Sequence, residues 1–295
     1  MDTSVMITLG FLIFAIVMFA WEKIPLSITA MVVAVGLHLS GVLSAREAFA
    51  GFVDPNVLLF MGMFVIGEAF FATGVAVGVG NVVHKFAKTE TSLLVAVMMI
   101  TGILSGFLSN TGTAAVLIPV IIGICKKSGF KQTKLLMPLV FAAAMGGNIS
   151  LIGAPGNMIA QAGLQQAGLG SFNFFDYGLV GLPILIVGTI FYATIGKRFL
   201  PDAPSHQPDG AFEGNDDYSH VPSWKKWTAA IVLILTVVAM IFEKQLGVKL
   251  YVSAWIGALV LVATNVISET AAVKSIDMKT IMLFAGSMAL GDAMV

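Results

Sequence analysis

Apolar residues gather in nine stretches, 5–21, 25–43, 57–82, 92–125, 135–166, 175–199, 227–242, 251–267 and 280–295, separated by shorter polar clusters. A helix crossing a hydrocarbon core of roughly 30 Å needs about 20 such residues, and the fourth and fifth stretches are too long for one crossing. As one helix, the 34 residues of 92–125 would run about 51 Å, so this stretch must fold back as two legs. Its midpoint carries a polar tripeptide, Ser109-Asn110-Thr111, which marks the turn. The fifth stretch is interrupted by Gly146-Gly147-Asn148-Ile149-Ser150-Leu151-Ile152-Gly153-Ala154-Pro155-Gly156-Asn157.

Non-helical backbone survives at membrane depth only where protein or a wet cavity surrounds it, so the two breaks point to a bound, moving solute. Composition agrees with the membrane reading. Hydrophobic residues make up 58% of the chain and charged ones 11%, with a mean hydropathy of +0.95, against roughly 25% charged in an average soluble domain. The pattern predicts an all-α polytopic membrane protein whose partner is the lipid bilayer. Formal charge is balanced and gives no ground for a nucleic-acid partner. The first stretch lacks a basic leader and is followed by Trp21-Glu22-Lys23 rather than a small-residue cleavage site, so it reads as a membrane helix. The lone Cys125 can form no intrachain disulfide and offers no metal-ligand spacing.

Cytoplasmic loops accumulate Lys and Arg. If 92–125 returns to its own side, one face receives 13 of the 16 basic residues and the other only Arg46, Lys244 and Lys249; a single crossing would divide them 11 to 5. The first arrangement places the N-terminus outside, the mouth of the hairpin in the cytoplasm, and the chain as a multi-pass protein of the cell (inner) membrane.

A polar, proline-bearing linker, 201–224, divides two related parts. Shifting the chain by 224 residues aligns 27–71 with 251–295 without gaps, pairing Ala48 with Ala272, Leu59 with Leu283, Phe60 with Phe284, Gly62 with Gly286, Gly67 with Gly291 and Glu68 with Asp292. The predicted organisation is a first repeat over 1–200, with five crossings plus the hairpin 92–125, then the cytoplasmic linker, then a partial second repeat of three crossings over 225–295. Five crossings invert the second copy, as in many secondary transporters with a midplane site. By the same logic a counterpart of the tripeptide would fall near 333–335, and a complete molecule would run to roughly 430 residues. The chain is therefore expected to be a truncated transporter.

The breaks suit ions of both signs. The return leg of the hairpin offers a helix start near Thr111, where unpaired N–H groups favour anions and Ser, Asn or Thr cap readily. The incoming leg ends near Ser105 to Ser109 with hydroxyls and carbonyls, hard oxygen donors for a small cation such as Na⁺. In the second break, paired glycines free the backbone, Pro155 suits a restarted helix, and Asn148, Ser150 or main-chain carbonyls could complete a cation shell. Close packing of small residues between membrane helices would also account for the glycines.

These residues resemble the divalent-anion:sodium symporters of the wider ion-transporter superfamily, which carry dicarboxylates, tricarboxylates or sulfate. The resemblance covers nearly the whole chain. It rests on Ser109, Asn110 and Thr111, matching a Ser-Asn-Thr motif at a hairpin tip, and on Gly146, Gly147, Gly153, Pro155 and Asn157, matching a Gly-Gly loop that ends in a Gly-Thr-Pro-x-Asn-like sequence. It implies Na⁺ as coupling ion, with no organic cofactor, at Ser105, Ser109 and Asn110 together with the second loop, where Asn148 and Gly153 are the candidates. It implies a small anionic substrate at Asn110 and Thr111, with Pro155 and Asn157 beside them, and alternating access by an elevator-like displacement. It leaves a homodimer open. Ala154 stands where relatives commonly have Thr, Gly156 is a smaller departure, and the second Ser-Asn-Thr-type motif is absent.

Glu68, inside the third stretch, is the candidate proton or coupling carboxylate, since a charge at such depth costs roughly 2.5–3.5 kcal/mol and tends to face the bundle interior. A structural carboxyl is the competing reading. His38 reads as interfacial, and Trp224 and Trp227 flanking Lys225 and Lys226 read as an anchor. The leading function is Na⁺-coupled uptake of a divalent organic anion or sulfate. A Na⁺/H⁺ antiporter or arsenite-type carrier of the same superfamily, and a non-transporting fragment, are the alternatives. No His-Glu-x-x-His, Gly-x-Ser-x-Gly or Cys/His cluster supports an enzyme.

Overall fold

The computed structural model describes residues 3–76, 78, 89–128, 130–200 and 218–294, without the side chains of 126–128 and 219. Most of the linker, with the third stretch beyond position 78, Lys85, Lys88 and Val295, lies outside the described residues. Among the described residues every regular element is helical: α1 (Thr3–Trp21), α2 (Leu26–Leu39), α3 (Ala45–Ala48), α4 (Pro55–Ala72), α5 (Glu90–Ser105), α6 (Asn110–Ser128), α7 (Thr133–Gly146), α8 (Pro155–Gln166), α9 (Gly178–Thr194), α10 (Ser223–Ile241), α11 (Glu243–Leu246), α12 (Leu250–Ala263), α13 (Glu269–Ser275) and α14 (Met278–Asp292), with short 3₁₀ turns between some of them. Three of these, α1, α4 and α10, are long and apolar enough to cross a bilayer unaided, and α2, α5, α7, α9 and α12 are shorter apolar helices.

The two expected interruptions are present. α5 ends at Ser105 and α6 starts at Asn110, and α7 ends at Gly146 with α8 restarting at Pro155. The turn lies slightly earlier than the tripeptide's midpoint suggested: Asn110 and Thr111 are already helical. Ser109 explains the shift, because its Oγ accepts from Gly112 N–H at 3.0 Å, capping the helix so that it can begin directly after the hydroxyl.

α4 is shorter than the apolar stretch it lies in. Pro55 occupies its first turn behind Asp54, whose carboxylate accepts from Asn56 N–H at 2.7 Å. At the other end it stops at Ala72, ahead of Gly74, which has φ +75°.

Helices α5, α6, α7 and α9 pack around one core that includes Leu93, Leu94, Met98, Leu117, Ile121, Leu135, Leu139 and Leu185. The remaining principal pairings are α2 with α14, α4 with α12, and α10 with both α4 and α12. A second core, with Leu59, Phe60, Ile66, Ala254 and Phe284, extends to Leu108, Leu151, Ile152 and Met158, so that α4 supports both breaks.

The contacts recur at the 224-residue interval. Gly62 lies against Ala254, and Gly286 lies against Ala30, the counterpart of Ala254; a Cβ on Gly62 would fall 2.8 Å from the Ala254 methyl, and one on Gly286 the same distance from that of Ala30. Val42 N–H donates to Leu37 O at 3.1 Å and Val266 N–H to Leu261 O at 3.0 Å. Gly41 (φ +76°) and Asn265 (φ +56°) share the left-handed conformation. Ser44 caps Glu47 N–H at 3.3 Å, and Ser268 caps Ala271 N–H at 3.2 Å. The Glu47 carboxyl also accepts from Ser44 N–H at 2.8 Å, and these bonds hold it below the usual carboxylate range. Each of these contacts thus has a counterpart 224 residues on. Phe60 meets its own counterpart, Phe284, edge-on at 6.3 Å between ring centroids.

Candidate functional site

The two breaks meet. Three glycine backbones make the approach possible. A Cβ on Gly146 would fall 2.5 Å from Gly102 Cα and 2.6 Å from its carbonyl carbon, one on Gly147 would meet the Asn110 amide at 2.5–3.0 Å, and one on Gly153 would lie 2.5 Å from Gly147 O and 3.0 Å from Gly106 O. Helices α5 and α7 therefore touch backbone to backbone just before each unwinds.

Hydrogen bonds fasten the breaks together. Ser150, fully buried, donates from its hydroxyl to Gly106 O. The Ser105 hydroxyl, also fully buried, lies 2.7 Å from Ala143 O. Asn157, 5% exposed, donates from Nδ2 to Gly147 O and to Ser150 O, both at 2.9 Å, and its own carbonyl accepts from Tyr177 Oη at 2.8 Å. Leu151 N–H donates to Phe174 O at 2.9 Å, and Phe174 stacks on Phe107 of the first break at 6.4 Å.

At the centre stands the Asn110 amide. One of its terminal atoms lies 2.6 Å from Ser105 Oγ and 3.1 Å from each of Ala143 O and Gly153 O. The partners are oxygen atoms from α5, α7 and the second break, so the atom facing them is favourably Nδ2. This is an uncharged set of hard oxygens around a single side chain.

Of the residues expected at a cation site, the structure brings together Ser105, Asn110 and Gly153, the last through its carbonyl. Ser109 spends its Oγ on the helix cap. Asn148 donates back to Ala144 O at 3.4 Å. Of the expected anion contacts, Thr111 is exposed beside Asn110 and Pro155 is exposed at the start of α8, whereas Asn157 is buried under the second break. Helix starts leave their first N–H groups without intrahelical partners. Those of Gly112 and Thr113 are taken by Ser109, which leaves Asn110 and Thr111 to supply the donors at the tip of α6. Glu68 is partly buried on α4, the helix whose Gly67 is in contact range of Leu108 in the first break.

Ala143 O was not foreseeable as a partner, because a carbonyl carries no trace in the side-chain sequence. Gly181 was missed for a related reason: it lies directly against Asn148 O, where any larger residue would push α9 off the break. Ala154 leaves α8 without a side-chain cap, with φ −139° and ψ 142° already suited to one. Ala154→Thr is expected to raise stability by about 1 kcal/mol, read as a higher melting temperature in lipid nanodiscs.

Two unwound backbones joined through buried hydroxyls and amides, within a bundle of apolar helices, define an all-α polytopic membrane fold. The citrate transporter family profile matches residues 16–295, and the chain belongs to that family. It is 33% identical to the uncharacterized transporter YfbS of Escherichia coli over 211 residues, 71% of this chain and 35% of that protein. An uncharacterized transporter of Synechocystis is 30% identical over 201 residues, 68% of this chain and 33% of its own length. Sodium/sulfate cotransporter 1 of Chlamydomonas reinhardtii is 26% identical over 205 residues, 67% of this chain and 23% of its own. The chain spans about a third or less of the length of these relatives. The resemblance drawn from the tripeptide and the Gly-Gly loop is borne out at the level of the family.

Proposed function

We propose that the protein takes part in Na⁺-coupled uptake of a small divalent anion, a dicarboxylate, tricarboxylate or sulfate, by alternating access. The observation that carries this reading is the position of Asn110. Its amide touches the oxygens of Ser105, Ala143 and Gly153 while its backbone opens α6, so one residue addresses a cation and an anion together. The donor set fits Na⁺. It is neutral and rich in hydroxyl and carbonyl oxygen, the ligands hard cations take, and it leaves net positive charge to be balanced by the anion at the helix start. Ser105, Asn110, Ala143 O and Gly153 O would hold the cation, with Ser109 and Asn148 within the same breaks. Asn110, Thr111 and Pro155 would meet the substrate, with Asn157 beneath them.

The contacts exchanged at 224 residues support two inverted repeats, with α5 and α6 as a re-entrant hairpin entered from the cytoplasm. The N-terminus is then outside, the linker cytoplasmic, and the bilayer the inner membrane of the cell. The names of the sodium/sulfate relatives agree with this choice of ions.

Uptake into proteoliposomes tests it. Labelled succinate, citrate or sulfate should enter faster with inward NaCl than with choline chloride, and NaCl should raise the melting temperature. Equal rates and equal melting in both salts would refute Na⁺ coupling. A second reading, proton coupling through Glu68, is favoured by the contact of its helix with the first break. Glu68→Gln should leave Na⁺-driven uptake in place if Na⁺ is the coupling ion and should abolish proton exchange if Glu68 is the acceptor.

A further inference from the structure

The Asn110 amide has two orientations, and hydrogen-bond accounting separates them. With Nδ2 inward, its two hydrogens and the single hydroxyl hydrogen of Ser105 meet three acceptors. Ser105 Oγ lies 2.6 Å from the nitrogen, Gly153 O lies 3.1 Å from it, and Ala143 O takes the Ser105 hydroxyl at 2.7 Å. Donors and acceptors balance without any ion. With Oδ1 inward, one donor remains, and two carbonyl oxygens face the amide oxygen at 3.1 Å, an arrangement that is repulsive until a cation joins the oxygens. Rotation about the last torsion of Asn is soft, because that torsion is broad and roughly two-fold. It also needs a glycine beneath the amide: a Cβ on Gly147 would stand 2.5 Å from one terminal atom and 2.7 Å from the other. Asn110 is only partly buried and Thr111 is exposed beside it.

We propose that Asn110 is a rotating coupling residue, nitrogen inward without Na⁺ and oxygen inward with it, so that the cation turns two N–H donors toward the anion. This rests on the Na⁺ and anion reading above and adds to it the movement of one amide. Without the cation the donors are engaged with Ser105 and Gly153. The anion binds to donors that the cation has released. Linkage requires the reverse effect too, an anion tightening Na⁺ by the same factor.

The test is side-chain ¹⁵N NMR of the whole chain in nanodiscs of phosphatidylcholine and phosphatidylglycerol, with the Asn110 NH₂ signal identified by its loss in Asn110→Asp. In choline chloride this signal should exchange with solvent at least about tenfold more slowly than exposed amides. Saturating NaCl should remove the protection and move the signal, and sulfate or succinate should move it again only when Na⁺ is present. Asn110→Asp, with oxygen at both ends, should bind Na⁺ more tightly by about tenfold, a change of about 1.4 kcal/mol, and lose the anion response. If NaCl raises the melting temperature and the Asn110 signal neither moves nor loses protection, the rotation is wrong and the Na⁺ site stands. If NaCl changes neither, both fall. An Asn110→Asp chain that keeps its Na⁺-dependent anion response would also overturn the rotation.

Discussion

Gly146→Ala is expected to destabilise the protein by on the order of 3 kcal/mol and to abolish any Na⁺-dependent rise in melting temperature. The reason is the kind of atom its methyl would meet. Beyond Gly146 stands the main chain of Gly102, with its Cα 2.5 Å and its carbonyl carbon 2.6 Å from the added Cβ and its oxygen closer still. A side chain in the way can change rotamer, but backbone cannot. Relief requires α5 and α7 to separate, and Ser105 leaves Ala143 O as they do. Gly163 on α8 is the matched control, since nothing lies within 4 Å of its added Cβ. There the same substitution should be neutral or stabilising by up to about 1 kcal/mol, through helix propensity alone. Melting of both variants in nanodiscs, with NaCl and with choline chloride, checks the pair. Equal stability of the two would mean that the α5–α7 contact does not govern the site.

Much of this fold was legible because the membrane makes the sequence pattern coarse. Apolar stretches too long for one crossing had to break, and the breaks occur within a few residues of the polar clusters that announced them. The 224-residue spacing pairs positions with like contacts: a methyl added at Gly62 or at Gly286 would collide with an alanine in the same way. What could not be read was the part written in main-chain atoms. The sequence has Ala at 143, yet its carbonyl is one of the three oxygens around Asn110. Side-chain character also did not reveal the local partners at particular positions. Ser109 and Asn148 carry the right chemistry for a cation shell, but one hydroxyl is drawn into a helix cap and one amide folds back on its own helix, because local hydrogen bonds compete with distant ones at every helix end. The end of α4 at Ala72 was hidden for the opposite reason: residues beyond it stay apolar, and only Gly74 signals the stop.

Asn157 shows how the same residue type can support a site instead of contacting a ligand. The Gly-Gly loop resemblance makes it a candidate for the substrate, but both hydrogens of its amide are committed to Gly147 O and Ser150 O at 2.9 Å, inside a buried environment. Those two carbonyls bracket the unwound stretch, and Gly147 is the surface on which the Asn110 amide rests. Asn157→Leu fills a similar volume and donates nothing. It should leave two buried carbonyls unpaired, at about 1–3 kcal/mol each, so that the melting temperature falls even without ions. Asn157→Asp is the sharper variant. An ionised carboxylate there would place negative oxygen against two carbonyl oxygens, which makes it at least as damaging as leucine although it keeps the shape. A residue that only contacts the anion would behave differently: either substitution would weaken anion binding and leave the ion-free melting temperature near that of the parent. Melting of Asn157→Leu and Asn157→Asp in choline chloride therefore decides the role, and a parent-like value for both would return Asn157 to the substrate.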